Sequence, residues 1–220
     1  MIIFPSFKAY TKRRPNRPHY EDASLVPDYL RYEDFWKEMK KSFFELSLQT
    51  PLRGDILKKI DPQSGFFGSR VHPVTGAPDY YHIGIEIEAK ARQQVKPLLK
   101  GILEYSGFHI ANGYYVLLSH PQIQTEDGYI FHTMYCHLKK PLVSFTAYQK
   151  MLREISLGTY PLIEIDKNTV LGLAGNTGES VGSKPKLYLQ TDFRKDGEKP
   201  IAVDPMNFFS RGVHVNEKEG

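Results

Sequence analysis

The chain has 220 residues, with 29 Lys plus Arg against 25 Asp plus Glu, 8 His and one Cys. An apolar fraction of 40% with near-balanced charge excludes a disordered chain, and the length allows one elaborated domain or two small ones. A lone Cys excludes an intrachain disulfide framework and a Cys-rich zinc site, so any metal would be held by His, Asp and Glu. The net charge of +4 permits an anionic partner without arguing for one. No stretch approaches the ~18 apolar residues of a membrane span. The opening run from Met1 to Phe7 is too short for a secretory h-region, and its charges come after it. The expectation is a chain that is not exported, or one whose leader has been removed.

In chain order, residues 1–30 read as irregular and basic, with Lys8, Lys12, Arg13, Arg14 and Arg17 interrupted by Pro15 and Pro18. Such a block is a solvated arm or an anionic-polymer site. Residues 33–48 have helical spacing: Phe35, Trp36, Met39, Phe43 and Leu46 form one stripe, expected to pack on the domain C-terminal to it. From about Gly65 to Phe209 the texture becomes β-rich. Short runs are punctuated by turn signals at Thr75-Gly76, Asn112-Gly113, Asp127-Gly128, Asn176 to Gly178 and Asp196-Gly197. Tyr114 to Leu118, directly after Asn112-Gly113, is a strong hairpin cue. The expected fold is mainly β, an antiparallel sheet or sandwich. Phe145 to Leu157 breaks the pattern with a helical stripe of Phe145, Tyr148, Met151, Leu152 and Ile155. The expected division is an arm and helix over 1–60, a β domain over 61–210 with a helical insertion near 145–157, and a tail over 211–220.

Five motifs carry chemistry. They are Gly68-Ser-Arg70-Val-His72-Pro73-Val-Thr75-Gly76, His82-Ile-Gly84-Ile-Glu86, Tyr135-Cys136-His137-Leu138, Val170-Leu-Gly172-Leu-Ala-Gly175-Asn176-Thr177-Gly178, and Val203-Asp204-Pro205. If His82 and Glu86 lie on one strand, they face the same way, because the side-chain period is two. A nitrogen and an oxygen donor so placed suit zinc. Taken alone, such a pair is more often a hydrogen-bonded strand histidine beside an acid than a metal site.

In order and spacing, the five motifs together resemble the LytM/lysostaphin-like zinc metallopeptidases (peptidase family M twenty-three). The resemblance covers about two-thirds of the chain. It implies a zinc ion on a β-sheet floor, held by the His and Asp of H-x-G-x-D and the second His of H-x-H. The first His of H-x-H and the His of Y-x-H-L would handle the attacking water and the oxyanion. The substrate implied is a peptide bond in peptidoglycan, and the localisation implied is the cell envelope, periplasm or exterior.

Carried over residue by residue, His82 matches the first ligand, Glu86 stands at the Asp ligand, and His137 matches the catalytic His. The H-x-H-F-E segment is lost. Lys186 replaces its catalytic His, Tyr188 its ligand His, and Gln190 its Glu. Arg70, His72, Asn176 and Gln190 would line the groove. A phenol binds zinc poorly at neutral pH, and an ammonium has no lone pair to give. The expectation is therefore a degraded zinc site with no cofactor: a pseudo-enzyme binding peptidoglycan or a protein partner, such as a regulated cell-wall hydrolase. The alternative is an active zinc endopeptidase with an unusual third ligand, Tyr188 or a remote His. A third reading has the groove plugged by residues 1–60 or the insertion. Nucleic acid is not expected, because no recognition motif is present. Glu86 on a groove floor needs a partner. The expected one is the Lys186 ammonium or the Tyr188 hydroxyl.

Overall fold

The computed structural model describes residues 1–4, 6, 48–61, 65–71, 76, 80–143 and 162–208. The helices expected over 33–48 and 145–157, the basic arm, His72 and the tail fall outside the described residues, apart from Leu48 at the end of the first helix. Among the described residues the architecture is mainly β: a ten-stranded sheet and a separate two-stranded hairpin. No described helix is long and apolar enough to cross a membrane.

The strands are β1 (Ile2–Phe4), β2 (Gly68–Arg70), β3 (Tyr80–His82), β4 (Gly84–Glu88), β5 (Gln94–Val95), β6 (Gly101–His109), β7 (Gly113–Thr125), β8 (Ile130–Pro141), β9 (Glu164–Ile165), β10 (Gly172–Ala174), β11 (Lys186–Arg194) and β12 (Ile201–Val203). The backbone of the large sheet runs β12-β11-β8-β7-β6-β9, with β4 beside the first half of β11 and β10 bridging β8 to β5. β2 and β3 form the hairpin.

The turn signals fall where expected. Asn112-Gly113 closes the β6–β7 hairpin, Asp127-Gly128 the β7–β8 hairpin and Asp196-Gly197 the β11–β12 hairpin; the three glycines have φ of 64°, 86° and 76°. Period-two burial then assigns the faces. Leu187, Leu189, Thr191 and Phe193 of β11 are wholly buried, as are Ile85 and Ile87 of β4, and Phe131, Thr133 and Tyr135 of β8. The intervening residues face the opposite surface, where the site lies.

Two sequence expectations are corrected. The first residues are not irregular: Ile2–Phe4 pairs in parallel with Ile123 to Thr125 of β7, a parallel pair in a sheet whose other pairings are antiparallel. Phe4 is buried edge-to-face on Phe193, with ring centroids 6.2 Å apart. The apolar opening thus contributes to the core by area removed from water. Second, His82 and Glu86 do not share one strand. The chain breaks at Ile83, which is exposed, so His82 ends β3 and Glu86 is central in β4.

The core also contains a satisfied histidine. His120 is fully buried, its Nδ1 2.9 Å from the Lys100 carbonyl and its Nε2 2.9 Å from Thr133 Oγ1. Burial pushes its pKa down to about 3, outweighing the Lys100 carbonyl. In the unfolded chain it titrates near 6.5, so its contribution to stability is complete above that pH and lost as pH falls toward about 3. Between pH 6.5 and 5, before carboxylates titrate, the urea midpoint should fall with pH in the wild type. It should fall less in His120→Gln.

Candidate functional site

The site forms where β4, β11 and the end of β8 adjoin. The register sets Tyr188 opposite Glu86 on one side and opposite Cys136 on the other. Alternation along β11 then places Lys186, Tyr188, Gln190, Asp192 and Arg194 on the site face.

Glu86 is met by Lys186. Its Nζ donates to Glu86 Oε2 at 2.8 Å, and both side chains are about four-fifths buried, at 21% and 18% exposure. This satisfies the requirement that a carboxylate on the sheet floor be compensated. Tyr188 takes the other role open to it. Its ring lies 5.3 Å from the His82 ring and 5.9 Å from the His137 ring, standing between the two imidazoles. Its hydroxyl donates along β11 to Gln190 Oε1 at 3.4 Å. Gln190 Nε2 donates to Asp192 Oδ2 at 2.7 Å, and Arg194 clamps Asp192 through Nε (2.6 Å) and an NH2 group (2.9 Å). A polar row thus continues beyond the expected site residues. Its sequence signal is the alternation Tyr-x-Gln-x-Asp-x-Arg itself.

Both histidines are oriented by backbone carbonyls. His82 Nδ1 lies 2.8 Å from the Phe66 carbonyl, and His137 Nδ1 lies 2.9 Å from that of Thr177. A carbonyl only accepts, so each Nδ1 donates, and in the neutral ring the lone pair stands on Nε2. His137 is held further by its N–H, which donates to the Asn112 carbonyl at 2.8 Å. Its φ of 60° is the left-handed region, uncommon for a residue with a side chain. Here β8 shifts register against β7 between Tyr114 and Val116, a bulge that re-aims the imidazole. Burial lowers the His137 pKa most, and the Lys186 ammonium lowers it further, so the ring is neutral at pH 7.

Gly84 is fixed by this packing. A Cβ there would stand 2.6 Å from the Leu189 carbonyl oxygen and 2.6 Å from the Tyr188 ring. Thr177, in the Gly-Asn-Thr-Gly run, anchors the β6–β7 turn through Oγ1. It accepts from the Tyr114 N–H at 2.9 Å and donates to the Leu138 carbonyl at 2.7 Å.

The structure therefore brings together His82, Glu86, His137, Lys186 and Tyr188, with Gln190 adjoining. Asn176 is used elsewhere: its Nδ2 donates to the Ser183 carbonyl at 2.9 Å across the loop. Arg70 closes β2, opposite Tyr80 of β3. Cys136 is buried and its thiol pKa is pushed up by burial, which makes it a poor nucleophile.

The donor set does not fit a zinc ion. Among the described residues no three His, Cys, Asp or Glu converge to hold a metal. Glu86, the carboxylate opposite Tyr188, is ion-paired to an ammonium that would repel a second cation. What the arrangement offers is a hydrogen-bonding floor: a lysine with N–H groups beyond the one given to Glu86, beside His137, whose Nε2 is the acceptor nitrogen.

No family model and no curated protein matches the chain. Solved structures do. A zinc-containing peptidase from Vibrio cholerae is 24% identical, with a TM-score of 0.45, over 68% of this chain and 38% of that one. The catalytic domain of lysostaphin, an antimicrobial peptidase from Staphylococcus simulans, is 20% identical, with a TM-score of 0.45, over 68% of this chain and 92% of that one. A chain from a complex of SpoIIIAH and SpoIIQ is 19% identical, with a TM-score of 0.48, over 74% of this chain and 99% of that one. This chain thus spans little more than a third of the Vibrio protein and nearly all of the other two.

Replacing Lys186 with Met keeps its stem and leaves Glu86 without its cation. We expect a loss of ~1–3 kcal/mol, the usual cost of removing a charged hydrogen-bond partner. Adding Glu86→Gln should recover most of it. The His137 titration, followed by NMR, should move upward in Lys186→Met, because the ammonium that opposes protonation is gone.

Proposed function

We propose that residues 61–210 are a LytM-like peptidase domain that has lost catalysis and uses its groove to bind peptidoglycan or a protein partner at the cell envelope. The observation that carries this reading is the 2.8 Å ion pair between Lys186 and Glu86. In the resembling metallopeptidases the matching carboxylate is a zinc ligand. Here a side chain of the same protein supplies the positive charge, and it cannot hold a water and lower its pKa as a metal does.

The substituted Lys186 and the retained His137 both serve binding. Lys186 can donate to a peptide carbonyl lying along the groove, and His137, neutral and fixed through Nδ1, accepts from an amide N–H. A main chain running over β4 and β11 offers both groups at the ~3.3 Å rise of an extended strand.

Three experiments test this. Protein purified with added zinc and then desalted should contain well below one zinc per chain. One zinc per chain, with peptidoglycan cleavage lost in His82→Ala, establishes the active-enzyme alternative instead. The double change Lys186→His, Tyr188→His restores the two histidines of the family's H-x-H and should create a zinc site detectable by metal analysis, with Glu86 released from its ion pair. Co-sedimentation with insoluble peptidoglycan then distinguishes an open groove from a plugged one, which would leave the protein in the supernatant.

A further inference from the structure

The strand directions collect basic side chains at one end of the sheet. β11 runs antiparallel to both β4 and β8, so the start of β11 and the ends of β4 and β8 lie together. Main-chain hydrogen bonds tie the adjoining segments. The Ala89 N–H donates to the Pro185 carbonyl at 3.0 Å, the Arg92 N–H to Ala174 at 3.1 Å and the Lys186 N–H to Gly175 at 2.8 Å, and Gln93 Nε2 reaches the Arg53 carbonyl at 3.3 Å. Leu173 pairs with Lys140 in the β10–β8 ladder. Arg53, Lys90, Arg92, Lys139, Lys140 and Lys184 are all exposed on these segments. None of the six is in an ion pair among the described residues. Glu88, at the end of β4, and Glu179, in the 3-10 turn Gly178–Ser180, are the exposed acids set among them. Six cations outside any described ion pair, against two exposed acids on the same segments, make this end of the described sheet basic.

The same end also exposes apolar side chains. Phe108 (55%) and Ile110 (79%) lie at the tip of the β6–β7 hairpin, and Val181 (78%) follows the 3-10 turn Gly178–Ser180, which docks on that tip through the Glu179 N–H and the Ala111 carbonyl at 3.2 Å. His137, joined to Asn112 and Thr177, lies between the apolar tip and the basic edge. A polyol phosphate or a nucleic-acid backbone would use the cations and leave the apolar tip wet. A polypeptide with acidic and apolar side chains uses both.

We propose that this end of the sheet is a docking face for an acidic polypeptide segment bearing apolar residues. The partner's carboxylates meet the lysines and arginines at the ends of β4, β8 and β11, and its apolar side chains cover the β6–β7 tip. The face rests on its own charges and stands whether or not the groove holds a metal. Because the cations are solvated and dispersed over several segments, binding is fast, multivalent and salt-sensitive.

The test uses the full chain and fluorescence anisotropy with three labelled probes of equal charge: a Glu/Leu copolymer peptide, poly-glutamate and linear polyphosphate. The Glu/Leu peptide should bind tightest, weakening at least tenfold between 50 and 200 mM salt. Lys139→Glu with Lys140→Glu should weaken it at least tenfold, and Ile110→Ser should weaken the Glu/Leu peptide but not poly-glutamate. Lys100→Glu with Lys199→Glu, at the opposite end of the sheet, should leave binding within twofold. No binding of the Glu/Leu peptide at low salt overturns the proposal. So does polyphosphate binding tighter than either peptide, or an equal loss from reversals at the two ends, which would signal net charge rather than a face. Near-UV circular dichroism of each variant confirms that a loss is not unfolding. Zinc content, read on the same preparations, reports separately on the groove.

Discussion

The alternation along β11 is the constraint from which the site and the core both derive. One set of side chains, Leu187, Leu189, Thr191 and Phe193, is sealed in the interior with no exposure. The other set, from Lys186 to Arg194, forms the polar row on the opposite surface. Because the period is fixed at two, a one-residue slip would turn five polar groups into the apolar core and expose the core residues in one step. The pairings of β11 with β4 and with β8 are held by this penalty from both sides. Lys186 can reach Glu86, and Tyr188 can stand between two imidazoles, only because this register is kept.

Polar groups on the face are satisfied in sequence along the strand. Tyr188 gives to Gln190, Gln190 to Asp192, and Arg194 closes the row with two bonds to a carboxylate that is 1% exposed. Such a chain fixes rotamers as well as offsetting burial, since each bond in it joins a donor to an acceptor of the right sense. The imidazoles are fixed differently, by main-chain carbonyls from loops outside the strand that carries Tyr188. The site is therefore rigid along β11 and dependent on the 65–67 and 175–178 segments across it.

Much of this was readable from the residues. The hairpin turns were legible because Asn-Gly and Asp-Gly leave few backbone alternatives, and the face of β11 was legible because Lys-x-Tyr-x-Gln preserves the alternation. The partnership of Glu86 came from the cost of burying a lone carboxylate, with Lys186 and Tyr188 as the groups able to reach it. Four features were not readable. The role of Ile2–Phe4 depends on a parallel pairing with residues more than a hundred positions away, which no local pattern encodes. The break at Ile83 does not disturb the apolar alternation around it, so two short strands read as one. The left-handed conformation of His137 arises from a bulge against β7 and has no signature in the side chain that adopts it. The basic edge was also invisible, since its cations are scattered over 132 positions between Arg53 and Lys184 and meet only through strand direction.

The ion pair at Glu86 has a consequence for when the site exists. A site organised by a bound ion is complete only in the fraction of molecules that have captured one, and that fraction depends on the free ion concentration relative to its dissociation constant. A cation carried on Lys186 is present at one per chain as soon as β11 pairs with β4. Dilution cannot remove it and a chelator cannot compete for it. On the proposed reading, the charge that meets Glu86 is thereby uncoupled from metal supply.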